Sequence, residues 1–144
     1  MKKSFKSVLG VTLLEIMLVL AIAAMIIVMS IRYYQSASTN QKVAATMDNI
    51  TGVMAAGESF LAATGTLSGI SAADLTPYLP GNALPNSPWG GPFTVKAVGA
   101  NSYSMTVPSV PANACTMLKS LVGQNSKLTP DCSTAGSLTV TVVE

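Results

Sequence analysis

Along this chain the hydrophobic positions change rhythm three times. From Val11 to Ile31 they are almost unbroken, and the only ionisable side chain in that run is Glu15. As a helix the run is long enough to cross a bilayer. Lys2, Lys3 and Lys6 precede it and Arg32 follows; three lysines ahead of such a segment hold the amino end on the cytoplasmic side. Beyond Arg32 the rhythm becomes amphipathic. Val43, Met47, Ile50, Met54, Gly57 and Leu61 recur at alternating spacings of four and three, which is a helical seam. Gln41, Lys42, Asp48, Asn49, Thr51 and Glu58 occupy the other faces. No proline occurs before Pro77, so the pattern predicts one helix over 11–63, on the order of 80 Å long. Its first half is apolar all round and belongs in lipid or among other helices. Its second half needs a folded layer on the seam, or a parallel coiled-coil partner. Gly52 and Gly57 either bend this helix or permit close packing, each costing about 1 kcal/mol relative to Ala.

The third rhythm is that of short strands. Residues 65–91 are rich in turn formers, with a short helix expected over 71–79, where Ser71 and Asp74 form a helix-start signal. Pro88-Trp89-Gly90-Gly91-Pro92 reads as a tight turn. Trp89 is expected to cap one end of the core, the other reading being a carbohydrate-binding ring. Residues 93–98 alternate less cleanly than a regular strand; after a turn at 99–102, residues 103–107 alternate clearly, so the two make a hairpin. A helix is expected over 112–122, with Cys115, Leu118, Leu121 and Val122 on one side. A loop over 123–137 encloses Cys132, and residues 138–143 form a terminal strand. The predicted fold class is α+β: a long N-terminal helix packed on a small antiparallel sheet. The organisation is a basic leader (1–10), an apolar half-helix (11–32), an amphipathic half-helix (33–64) and a β-rich head (65–144).

Composition narrows the function. The formal charge of +2 rests on eight basic and six acidic side chains. Without the three leader lysines the balance is five against six, which argues against nucleic-acid binding through a basic patch. Charged residues make up 10% of the chain and histidine is absent. A surface so poor in charge packs against copies of itself with little repulsion. Serines are plentiful but no nucleophile motif such as G-x-S-x-G surrounds them, so no enzyme activity, catalytic residue or cofactor is expected. Two cysteines without histidine make a poor metal set. If the chain beyond Arg32 is exported, Cys115 and Cys132 lie where disulfides persist. A bridge would close a loop of about 17 residues, worth roughly 3 kcal/mol in the entropy model; the alternative is two unpaired buried thiols.

Glu15 requires an explanation. A charged side chain at the centre of a membrane helix costs roughly 2.5–3.5 kcal/mol on insertion scales, and nothing else in the run is positive. If the chain were cut after Gly10, Val11 would carry a free ammonium four residues before Glu15, on the same helix face. Packed side by side, that amine could equally meet the Glu15 of a neighbouring chain, which points to self-assembly. Competing readings are an ordinary secretory signal cut at Ala21-Ile22-Ala23, which would leave a greasy end, and a plain membrane anchor in which Glu15 is incidental.

Gly10-Val11-Thr12-Leu13-Leu14-Glu15, after a short basic leader and before an unbroken apolar run, resembles the class III signal of type IV pilins and pseudopilins. The resemblance implies cleavage between Gly10 and Val11 by a prepilin peptidase and N-methylation of Val11. It also implies assembly through Val11, Thr12, Leu13, Leu14 and Glu15, with Glu15 pairing to the amine of an adjacent subunit. The pilin fold then extends over the whole mature chain, with Cys115 and Cys132 in the positions of the disulfide-bonded D-region. Val11, in place of the phenylalanine of the commonest subgroup, and the short helix within the D-region lean toward type IVb, whereas the short leader is less typical of it. The implied partners are copies of the chain itself, the peptidase, the inner-membrane assembly machinery, and the bilayer before assembly. The implied location is the bacterial inner membrane, then an extracellular filament for adhesion, aggregation or conjugation-type contact. The alternatives are a pseudopilin of a type II secretion system and a monomeric membrane-anchored binding domain.

Overall fold

The computed structural model describes residues 12–133 and 136–144. Two compact units divide the chain, Met1–Ser38 and Thr39–Glu144. Helix α1, Leu13–Thr64, contributes to both. Its apolar amino-terminal part is long and apolar enough to cross a membrane. There the large side chains, Leu18, Ile22, Met25 and Met29 among them, are exposed on every face.

In the second unit the expected seam is buried at Val43, Ile50, Met54 and Gly57, while Met47 and Leu61 are partly buried. Thr46, Val53 and Ala56 are buried as well, so the stripe is wider than the heptad-like spacing suggested. Thr46 tolerates this because its Oγ donates to the Lys42 carbonyl at 2.8 Å, which satisfies the hydroxyl within the helix. The seam shares one core cluster with Tyr103, Met105, Val107, Leu138, Val140 and Val142. The chain's own sheet therefore covers it, in place of a coiled-coil partner.

That sheet has four strands, β1 (Thr94–Gly99), β2 (Ser102–Pro108), β3 (Leu128–Asp131) and β4 (Ser137–Val143), in the order β1-β2-β4-β3. Every neighbouring pair is antiparallel. β2 and β4 sit in the centre, and each buries alternate residues, the period-2 pattern that a one-faced sheet requires. The untidy alternation of the first strand has a structural cause: the β1–β2 register slips between Ala97 and Gly99. A bulge of this kind re-aims side chains, and Val98 is 61% exposed.

The expectation of loop throughout 123–137 is corrected, because Leu128–Asp131 forms edge strand β3. Four residues containing Pro130 carry almost no strand signal, and proline is tolerated in a sheet mainly at an edge. The short helix expected over 71–79 is a four-residue helix α2 (Ala72–Leu75), followed by 3-10 turns at Thr76–Tyr78 and Pro80–Asn82. Asp74 accepts bonds from the Ser71 N–H at 2.9 Å and the Ser71 hydroxyl at 2.6 Å, so the helix-start signal is real. Helix α3 spans Ala112–Val122 and buries Ala114, Cys115, Leu118 and Val122. Leu121, expected on that face, is 42% exposed; it borders a shallow groove with Met47 and Met54 instead.

Trp89 is partly buried against the core. Its loop is closed by Ser87 N–H to the Gly91 carbonyl at 2.8 Å and by Gly90 N–H to the Ser87 carbonyl at 2.9 Å. Gly90 and Gly91 have φ of 115° and 85°, a region that favours glycine.

Candidate assembly site

The amino end of α1 is built by Thr12 and Glu15. Thr12 lies just before the first helical residue, and Glu15 three positions on. The Thr12 N–H donates to Glu15 Oε2 at 2.8 Å, and the Thr12 hydroxyl reaches the same oxygen at 3.1 Å. In return the Glu15 N–H approaches Thr12 Oγ1 at 3.3 Å. This reciprocal pattern is a capping box, which satisfies backbone donors that a helix start leaves unpaired. The signal stands in the sequence as Thr-x-x-Glu ahead of an apolar run, overlapping the stretch in which Glu15 is the lone charge. Glu15 thus has a partner in its own chain. Leu13 and Leu14, between the two, are 81% and 75% exposed. Gly10 and Val11, the residues of the expected cut and methylation, lie outside the described residues.

At the other end of the chain, Cys115 of α3 is bonded to Cys132, 17 positions further on, with Cα atoms 6.2 Å apart. Unpaired thiols are therefore excluded as the reading of this pair. The bridge fastens the helix to the end of edge strand β3, the part of the sheet with least pairing of its own.

The last residue is held as firmly. The Glu144 N–H donates to the Asn101 carbonyl at 3.0 Å, and the Val143 N–H to that of Lys127 at 3.0 Å. The Glu144 side chain is 6% exposed and takes a bond from Lys127 Nζ. Lys127 also lies 3.9 Å from Glu58 of α1. The bond to Glu144, and then that residue's charge, hold the Lys127 ammonium above the usual lysine range. Asp74 and Asp131 are held below the carboxylate range by hydroxyl and backbone donors of Ser71 and Ser133 respectively. These carboxylates serve local turns and caps. Tyr103 is wholly buried; burial first, then the charges of Glu144 and Glu58, push its phenol up.

Among the described residues no three metal-ligating side chains come together. No family model, curated protein or solved structure matches the chain.

Proposed function

We propose that this chain is the precursor of a structural subunit of a type IV pilus, cut after Gly10 and polymerised into a helical filament. The observation that carries the reading is the coincidence at the head of α1. A cleavable Gly10-Val11 junction in the sequence, a Glu15 locked to Thr12, and a helix apolar on every face stand in immediate succession. Lipid buries such a helix before assembly, and other helices bury it afterwards by the same hydrophobic effect.

The capping box refines the role of Glu15. A carboxylate has about four acceptor sites, so bonding to Thr12 leaves capacity for the ammonium of a neighbouring Val11. In the membrane the cap lowers the cost of the charge; in the filament the neighbour's amine completes its partners and sets register. Contacts of this head-to-tail kind do not close and so make an open fibre. The head of residues 65–144, tied by Cys115–Cys132, then forms the outer surface and determines what the filament contacts.

A pseudopilin of a type II secretion system is the second reading, because it shares the same signal. The disulfide and the sparse acids near the C-terminus, Asp131 and Glu144, favour the pilus. The test is the intact mass of the protein sheared from whole cells, with a fragment spectrum of its amino end. The expected species begins at N-methylated Val11 and is two hydrogens short for the bridge. Recovery in membranes instead, with Lys2 and Lys3 retained, would replace this reading with an anchored monomeric domain.

A further inference from the structure

Three consecutive residues end the apolar part of α1: Arg32, Tyr33 and Tyr34. Tyr33 and Tyr34 are 78% and 75% exposed, more open than most apolar side chains before them. Adjacent positions on a helix diverge by about 100°, since 3.6 residues complete a turn. The two rings therefore point in different directions and cannot both seat in the groove of a single neighbouring helix. Side chains that need the same depth on several sides of a helix suit a planar boundary. Tyrosine has an apolar ring and a polar tip and collects at the membrane–water interface. An arginine can bury its methylene stem while lifting its charge to water, so the exposed Arg32 suits the same level.

The spacing along the helix supports this. From Glu15 to Tyr33 the axis advances about 27 Å, at 1.5 Å per residue, against a hydrocarbon thickness of about 30 Å. With the tyrosines at one boundary, Glu15 lies close to the other. Between Glu15 and Arg32, Ser30 is the one polar side chain, and its hydroxyl is already bonded to the Ile26 carbonyl at 2.9 Å. Nothing in the interval therefore calls for water.

We infer that Arg32, Tyr33 and Tyr34 form a lipid-interface anchor that fixes the depth of the helix and so holds Glu15 at the opposite edge of the bilayer. The occupant of the tyrosine surface is the glycerol and headgroup layer of phospholipid. The inference rests on the membrane-spanning part of the function proposed above, and it needs neither cleavage nor polymerisation.

The experiment uses the full chain in vesicles of phosphatidylethanolamine and phosphatidylglycerol. A Trp89→Phe, Tyr34→Trp variant carries a single indole at the proposed boundary. Lipids brominated near the glycerol end should quench it at least about twofold more than lipids brominated near the methyl end, as an interfacial residue requires. Stronger quenching from the methyl end, or none, overturns the anchor. Quenching replaced by concentration-dependent self-association would assign the surface to a second copy and also overturns it. A second probe, Leu14→Trp in the Trp89→Phe background, reads the opposite edge. Replacing Tyr33→Ala and Tyr34→Ala should make that probe lose its preference for glycerol-end bromines. An unchanged profile refutes the depth-fixing role while leaving the span intact. Both tyrosines are exposed, so their removal leaves the packed core untouched. Failure of the pilin reading would show separately, as a chain that never starts at Val11.

Discussion

Gly57 and Gly52 lie five positions apart on α1 and do different work. A Cβ built at Gly57 would fall 2.5 Å from the Tyr103 hydroxyl oxygen and 2.9 Å from its ring, whereas one built at Gly52 meets nothing within 4 Å. Tyr103 is wholly buried and has no room to retreat. Gly57→Ala should therefore destabilise the head by about 1–3 kcal/mol in spite of the better helix propensity, measured by chemical denaturation. Gly52→Ala should instead stabilise it, by up to about 1 kcal/mol. At Glu15 the residue scale joins the assembly question. Glu15→Ala removes both the cap and the proposed inter-subunit partner; on the proposed function, cleavage should persist while filaments are lost from the sheared fraction. Thr12→Val removes the hydroxyl bonds of the cap and leaves the carboxylate, so filament yield should fall only partly. Wild-type yield from Glu15→Ala would end the pairing idea.

Among the elements, α3 and β3 depend most on covalent help. β3 is a four-residue edge strand carrying Pro130, and the Cys115–Cys132 bridge ties its end to α3. Reduction should lower the stability of the head by roughly 3 kcal/mol. Identical melting with and without reductant would show that the bridge contributes nothing. The turn and cap carboxylates make stability depend on acid. Asp74 and Asp131 are held below the usual range in the fold. Their contribution is present above the ordinary aspartate value of about 3.9 and disappears as pH falls through the lowered folded values. Melting temperature should thus drop on acidification through that window, and an Asp74→Asn, Asp131→Asn chain should show a shallower drop. Lys127 behaves in the opposite sense: its raised value gives a contribution that is complete below the ordinary lysine range and lost as pH climbs through the folded value.

For the whole molecule, the two compact units divide the labour. The amino-terminal one offers apolar surface on every side, so it requires lipid or other helices around it. The carboxy-terminal one encloses its own core and ties both of its late elements back. Glu144 reaches the hairpin turn at Asn101, and Lys127 bridges Glu144 and Glu58. Lys127→Ala would leave the nearly buried Glu144 carboxylate without that partner, an uncompensated group of the kind that destabilises a fold. The proposed filament combines the two behaviours: one unit supplies cohesion and the other a stable surface. The mass and location of the sheared protein decide between that assembly and an anchored monomer.

Much of this was legible in the residues because it follows from local periodicity. The long helix, the central strands β2 and β4, the Ser71 cap and the span of α3 each satisfy a repeat or a capping rule that needs no distant partner. Tertiary structure decided what depends on neighbours far away in the chain. It gave Leu128–Asp131 a strand because β4 was there to pair with it. It buried Thr46, Val53 and Ala56 because the head covers a wider face than two turns of a seam suggest. It chose between Gly52 and Gly57 by placing Tyr103 against only one of them. Periodicity records which face of an element is apolar; which residue will lie against it is settled only when the chain folds back on itself.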